Sequence, residues 1–132
     1  MENSTSVMRP PILDGKNYAY WKVTVKVYIK SIDERVWQLI LTGWTPPVTT
    51  NTETRVEIIK PEQSWATEED RLVNYNFKAF NVIFATVDVN QFKLISTCES
   101  AREAWTILEN THEGTSVVKI SKLQMLVSKF ED

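Results

Sequence analysis

The sequence predicts a single, mostly helical domain, on three observations. Apolar residues recur at helical spacing in two neighbouring rows. One is Leu72, Ala79 and Ile83, with Asn76 in line; the other is Val73, Phe77, Phe80, Phe84 and Val87. Ser100 and Glu103 stand in the reciprocal arrangement that starts a helix, ahead of Ala104, Trp105 and Leu108 on one face. A third row, Val117, Ile120, Leu123, Val127 and Phe130, joined by Leu126, is still helical in pattern when the chain reaches Asp132. With 132 residues, 42% apolar and 24% charged, the chain has the size and composition of one folded domain.

The elements follow in order. Residues 1–8 read as a flexible polar tail and residues 9–132 as the domain. Two prolines and the Asp14-Gly15 turn signal make Arg9–Lys16 an extended arm. From Lys22 to Lys30 polar and apolar residues alternate and β-branched types abound, which is a strand signature. A helix capped by Asn17 is the alternative; it would place Tyr18, Trp21, Val25, Tyr28 and Ile32 on one face. Periodicity alone leaves both open. Asp33 suits the start of a short helix bearing Val36, Trp37, Ile40 and Leu41 and ending near Gly43. Residues 45–63 carry three prolines among threonines and asparagines and read as a surface loop, bracketed by Trp44 and Trp65. Thr67, with Asp70 three positions on, opens a helix to about Thr86. Its wide apolar arc makes it the central element. Asp88 and Gln91 suggest a short turn presenting Phe92 and Ile95. Gly114 is a helix stop, and Thr115 can cap a last helix. Trp21, Trp37, Phe77, Phe80, Phe84 and Trp105 are the expected core anchors.

Few residues offer chemistry. Lys and Arg number 15 against 17 Asp and Glu, for a net charge of -2, which argues against a strongly basic nucleic-acid binder. His112 and Cys98 are single, so no four-ligand zinc set and no intramolecular disulfide can be built from them. His112 suits a helix C-terminus, and Cys98 a small buried role. Glu68, Glu69 and Asp70 suit a helix N-terminus better than general acid–base work. The three glycines are too few and too far apart for a phosphate-cradling loop. We therefore expect no enzyme, no cofactor, no metal and no small-molecule substrate. Lys22, Lys26 and Lys30, if helical, form a narrow basic stripe that could meet phosphates, with weak and salt-dependent RNA affinity. The polar N-terminus and the lack of any run of ~18 apolar residues lead us to expect no membrane association and a cytoplasmic protein.

Several segments together are similar to a known family. Pro10-Pro11-Ile12-Leu13-Asp14-Gly15-Lys16-Asn17-Tyr18, then Trp21-Lys22, Val36-Trp37, Gly43-Trp44 and Pro46-Pro47, occur in one order and spacing. So do Trp65, Asn76-Phe77-Lys78-Ala79 and Cys98-Glu99-Ser100-Ala101-Arg102-Glu103-Ala104-Trp105. Thr111-His112-Glu113-Gly114-Thr115 and Lys122-Leu123-Gln124-Met125-Leu126 complete the set. This pattern resembles the N-terminal part of the Gag region of plant copia-type LTR retrotransposons, over nearly everything after Met8. The resemblance implies an all-α, capsid N-terminal-domain-like bundle of about five to six helices, and it favours helix for residues 17–31. It also implies a structural role, self-association with other Gag copies into particles that enclose RNA. The family's protein continues into further capsid helices and a zinc knuckle, so the expectation is a segment truncated at its C-terminus, with RNA contact weak without the knuckle. The row Ile120, Leu123, Val127 and Phe130 is the expected self-association surface. The alternative is a captured Gag fragment acting as a host adaptor, interfering with full-length Gag, or persisting as a relic.

Overall fold

A computed structural model describes residues 9–114. The expected tail over residues 1–8, the last helix, and its row Ile120, Leu123, Val127 and Phe130 lie outside the described residues. Within them the chain is mostly helical: α1 (Tyr18–Ile32), α2 (Glu34–Thr42), strands β1 (Val48–Thr50) and β2 (Glu57–Ile59), α3 (Thr67–Ala85), α4 (Val89–Ile95) and α5 (Ala101–Glu113).

Residues 18–32 are helical although their alternation is strand-like. Trp21, Val25 and Ile29 fall on the buried face at i, i+4 and i+8. The alternate valines, Val23 and Val27, are left facing solvent. Asn17 sits at the N-cap without a capping bond. Its side chain instead closes the Asp14-Gly15 turn, accepting from the Asp14 N–H at 3.1 Å and donating to the Ile12 carbonyl at 2.9 Å. Asp33 does cap α2, accepting from the Arg35 N–H at 2.9 Å. On α2, Leu39 joins Val36, Trp37 and Ile40 in the interior, and Leu41 is exposed. Gly43 then turns the chain at φ +88°. A side chain there would meet Arg102 Cδ at 2.9 Å, so close approach and backbone conformation both call for glycine.

Residues 45–63 correct the expectation of a structureless loop. They form a two-stranded antiparallel hairpin, with Val48 opposite Ile59, Thr49 opposite Ile58 and Thr50 opposite Glu57, followed by a 3-10 turn at Glu62–Ser64. Asn51 builds the tip by accepting from the Glu53 and Thr54 N–H groups, and Arg55 takes the left-handed conformation at φ 60°. Trp44 and Trp65 meet edge to face at the base, 6.4 Å apart, and the Trp65 indole donates to the Lys60 carbonyl.

α3 is the central element, packed on α1, α2 and α5. It starts one residue from the expected box: Glu69, not Asp70, reaches back, to the Ala66 N–H at 2.8 Å. Its buried arc runs through Val73, Tyr75, Asn76, Ala79, Phe80, Val82 and Ile83. Phe77, expected in the core, is 60% exposed. At about 100° per residue it falls beyond the edge of that arc. Phe84 lies at the same margin but is half-buried, because Phe92 of α4 covers it edge to face at 5.1 Å. Residues 88–95 are accordingly a capped helix rather than a turn, with Asp88 accepting from the Gln91 N–H.

Three tryptophans close the interior. Trp21 stacks on Trp105 at 5.5 Å, and Trp37 meets Trp105 edge-on at 5.4 Å. Asn76, the polar member of an apolar row, is 1% exposed and bonded at both ends of its amide. Its oxygen accepts from the Ala101 N–H at 2.8 Å and its amide donates to the Glu99 carbonyl at 3.1 Å, fastening α3 to the start of α5. Half of the expected reciprocal arrangement forms there: Ser100 Oγ accepts from the Glu103 N–H at 3.1 Å, while the Glu103 carboxylate accepts from the Glu99 N–H at 3.3 Å instead of from that of Ser100.

Trp105→Ala should cost about 3–5 kcal/mol in chemical denaturation, and Phe77→Ala under ~1 kcal/mol. Asn76→Ala should cost about 1–3 kcal/mol, because it leaves the buried Ala101 N–H without an acceptor. Equal losses for Phe77 and Trp105 would contradict the packing described.

Candidate functional site

As a helix, α1 aligns Lys22, Lys26 and Lys30 on one flank, but their environments differ. Lys22 Nζ lies 3.0 Å from Glu109 Oε2 and 2.6 Å from Glu113 Oε2, both on the last turns of α5. Partial burial opposes its charge. The hydrogen bonds to Glu113 and Glu109 outweigh this and hold its pKa above the ordinary lysine value. Lys22 is thus committed to carboxylates, which corrects its place in a phosphate-facing stripe. Lys26 lies over the Trp37 ring at 5.7 Å, and Lys30 sits 3.7 Å from Glu34 one turn on. Those last two keep their ammonium groups at the surface, and two charges give little counterion release.

Around Lys22 the structure assembles a polar clamp between α1, α4 and α5. The Tyr18 hydroxyl donates to Glu113 Oε2. Burial, and then the bond to Glu113, raise the Tyr18 pKa well above the usual phenol range. The His112 ring stacks on Tyr18 with centroids 4.9 Å apart and planes 13° apart, and its Nε2 lies 2.7 Å from Gln91 Oε1. Burial lowers the His112 pKa. His112 therefore joins helices instead of serving only as a terminal cap. Cys98 is half-buried, and burial followed by the nearby Glu103 carboxylate pushes its thiol pKa up, away from thiolate reactivity. At the start of α3, Glu68 pairs with Arg71 at 2.6 Å. Glu69 is held below the usual carboxylate range by the Ala66 N–H and then by Lys60. These acids have structural partners.

What remains is apolar surface. On the outer side of α1, Tyr20, Val23 and Val27 form a row at i, i+3 and i+7, exposed by 57%, 61% and 59%. On the hairpin, Val48, Val56, Ile58 and Ile59 are exposed, so neither face of its sheet packs on the helices. An open groove of about 350 Å³ runs between the arm and α3, lined by Arg9, Pro10, Ile12, Tyr28, Asn81 and Thr86. It brings no acid and base together. Sequence reasoning missed the α1 row and the hairpin. The signal for the first was available: the Lys22–Lys30 alternation holds more apolar residues than a one-faced helix can bury.

Among the described residues, no helix is long and apolar enough to cross a membrane, and no cluster of three or more potential metal ligands occurs. No family model, curated protein or solved structure matches the chain.

The clamp predicts a pH dependence. Unfolded, His112 titrates near ~6.5; folded, it titrates lower, so acid protonates the unfolded chain first. Its contribution is complete above about pH 6.5 and is lost as pH falls through the folded value. NMR should place the His112 midpoint below ~6.5, and the stability difference between wild type and His112→Asn should shrink on acidification through that window. A midpoint above ~6.5 would contradict the depression that partial burial imposes on His112.

Proposed function

We propose that this chain is a non-catalytic structural segment of the Gag type, working by association with copies of itself toward a retrotransposon particle. The ordered motifs between Pro10 and Glu131 that resemble copia-type Gag support the reading. The observation that carries it in three dimensions is the two-sided apolar character of α1. Trp21, Val25 and Ile29 close the core, while Tyr20, Val23 and Val27 face outward in a second row. A contiguous exposed apolar patch is the usual mark of a protein contact.

The physical logic is repetition. Identical weak patches build closed or extended assemblies when their symmetry allows, and many such contacts together make the assembly firm. Single residues of any one patch then need contribute little. RNA contact in this reading is secondary, because only Lys26 and Lys30 of the basic row stay clear of the carboxylate clamp.

Light scattering across a concentration series, with electron microscopy of the same sample, should show association that grows with concentration. Val23→Lys with Val27→Lys should reduce it at least ten-fold while leaving the circular dichroism spectrum unchanged, since both side chains are exposed. Mixed with an intact copia-type Gag, the chain should enter its particles or reduce their number. A chain that stays monomeric at every concentration and ignores intact Gag would refute the proposal.

A further inference from the structure

We infer that the outer edge of β2 is a self-pairing edge. Two copies meet there about a two-fold axis, and their hairpins merge into one four-stranded antiparallel sheet. The inference deepens the self-association reading, on which it rests for its use though not for its geometry.

The hairpin's own ladder decides which backbone groups face outward. The Asn51 N–H donates to the Val56 carbonyl and the Lys60 N–H to the Pro47 carbonyl, each at 2.9 Å. Bonded and non-bonded pairs alternate along an antiparallel ladder. With the observed register, Thr49 and Ile58 are then the bonded pair between those two. Val48 opposite Ile59 and Thr50 opposite Glu57 are the non-bonded ones. The N–H and C=O groups of Glu57 and Ile59 therefore point away from β1. Among the described residues nothing pairs with them, so they form an open edge with groups two residues apart, which is the spacing that a second strand requires.

Symmetry then selects the register. A two-fold axis perpendicular to a sheet pairs residues of like facing, so an axis at Ile58 sets Glu57 opposite the second copy's Ile59, and Ile59 opposite its Glu57. Each is a bonded pair, so all four outward N–H groups at these positions, two from each copy, find carbonyl partners at once. Ile58, 62% exposed, meets its own symmetry mate as a non-bonded pair, the closer kind, where apolar side chains interact best. On the other face Ile59 lies between Val48 and the incoming Glu57. A lone two-stranded hairpin is marginal in water, and this one has exposed side chains on both faces. Doubling the sheet supplies what the helices do not. The edge is self-complementary in hydrogen bonding and apolar at its centre, which favours a second copy over an unrelated strand. Three residues per copy bury far less than the roughly 1,200 Å² of a stable pairwise interface, so the contact is weak alone and counts by repetition. The two Glu57 carboxylates come near each other across the axis and oppose it.

The test is NMR and sedimentation equilibrium on the full chain over a concentration series. With wild type, the Glu57 and Ile59 amides should shift and gain exchange protection as concentration rises, and mixed isotope labelling should give contacts between Ile58 methyls of different copies. Ile59→Pro removes an outward N–H and none of the hairpin's own bonds. Ile58→Lys places like charges at the axis. Each should weaken pairing at least ten-fold while the Asn51 and Lys60 amides stay protected, showing that the hairpin is intact. Glu57→Gln should tighten pairing. Unchanged association in Ile59→Pro, or concentration-dependent shifts at Val23 and Val27 with none at residues 57–59, would overturn the edge while leaving the Gag-type reading standing. Pairing abolished by Ile59→Pro in a chain that neither forms particles nor joins those of intact Gag would uphold the edge and refute that reading. Equal binding of an unrelated extended peptide at the edge would overturn the second copy as its occupant.

Discussion

The fold depends on how α3 ends. A helix leaves its last carbonyls without partners, and buried ones must find donors elsewhere. Here the Thr86 carbonyl takes two, the Leu13 N–H and the Trp21 indole N–H, each at 2.8 Å. The Thr86 hydroxyl serves the Val82 and Ile83 carbonyls behind it, and the Leu13 carbonyl accepts from the Asp88 N–H at the start of α4. The arm, α1, α3 and α4 therefore converge on one point. Because its polar atom is satisfied there, Trp21 can be buried to 1% exposure, and Trp105 and Trp37 pack on it in turn. The two prolines that keep the arm extended thereby contribute to the core, since only an extended Leu13 can present both its N–H and its carbonyl to the end of α3.

Much of this was legible in the sequence, where local chemistry and tertiary need agree. Asp33 and Ser100 announce helix starts because short polar side chains satisfy backbone donors within three residues, and the structure uses both in that way. Trp21, Trp37, Phe80 and Trp105 are large apolar residues on the rows that the core demands. The misreadings arise where a distant partner decides. Phe77 and Phe84 have equal claims by spacing, and only the position of α4 separates them. Asn17 is a good cap by type but is drawn into the Asp14-Gly15 turn. Lys22 reads as one of three equivalent cations until α5 brings Glu109 and Glu113 beside it. The hairpin escaped notice because its strands are three residues long and lie among prolines and threonines, where composition outweighs pattern. For the surfaces, the strand-like alternation of α1 was the informative signal, recording an apolar row that the core does not use.

The two exposed apolar features differ in kind. The α1 row is rigid, since the opposite face of the same helix is locked by Trp21, Val25 and Ile29, so it offers a pre-shaped surface at little entropic cost. The hairpin stands apart from the helices and is held at its root by Trp44, Trp65 and the Lys60–Glu69 pair at 3.1 Å. It offers backbone groups whose directionality fixes the relative orientation of whatever pairs with them. A firm patch combined with a directional edge is a suitable set of parts for an assembly that needs both adhesion and angle.

Arg102 gives that hairpin a mechanical connection. Its guanidinium reaches from α5 to the Leu41 carbonyl at the end of α2, beside Gly43, where the chain turns toward Trp44 and the strands. The root of the hairpin is thus tied to α5 by a side chain as well as to α2 by the backbone.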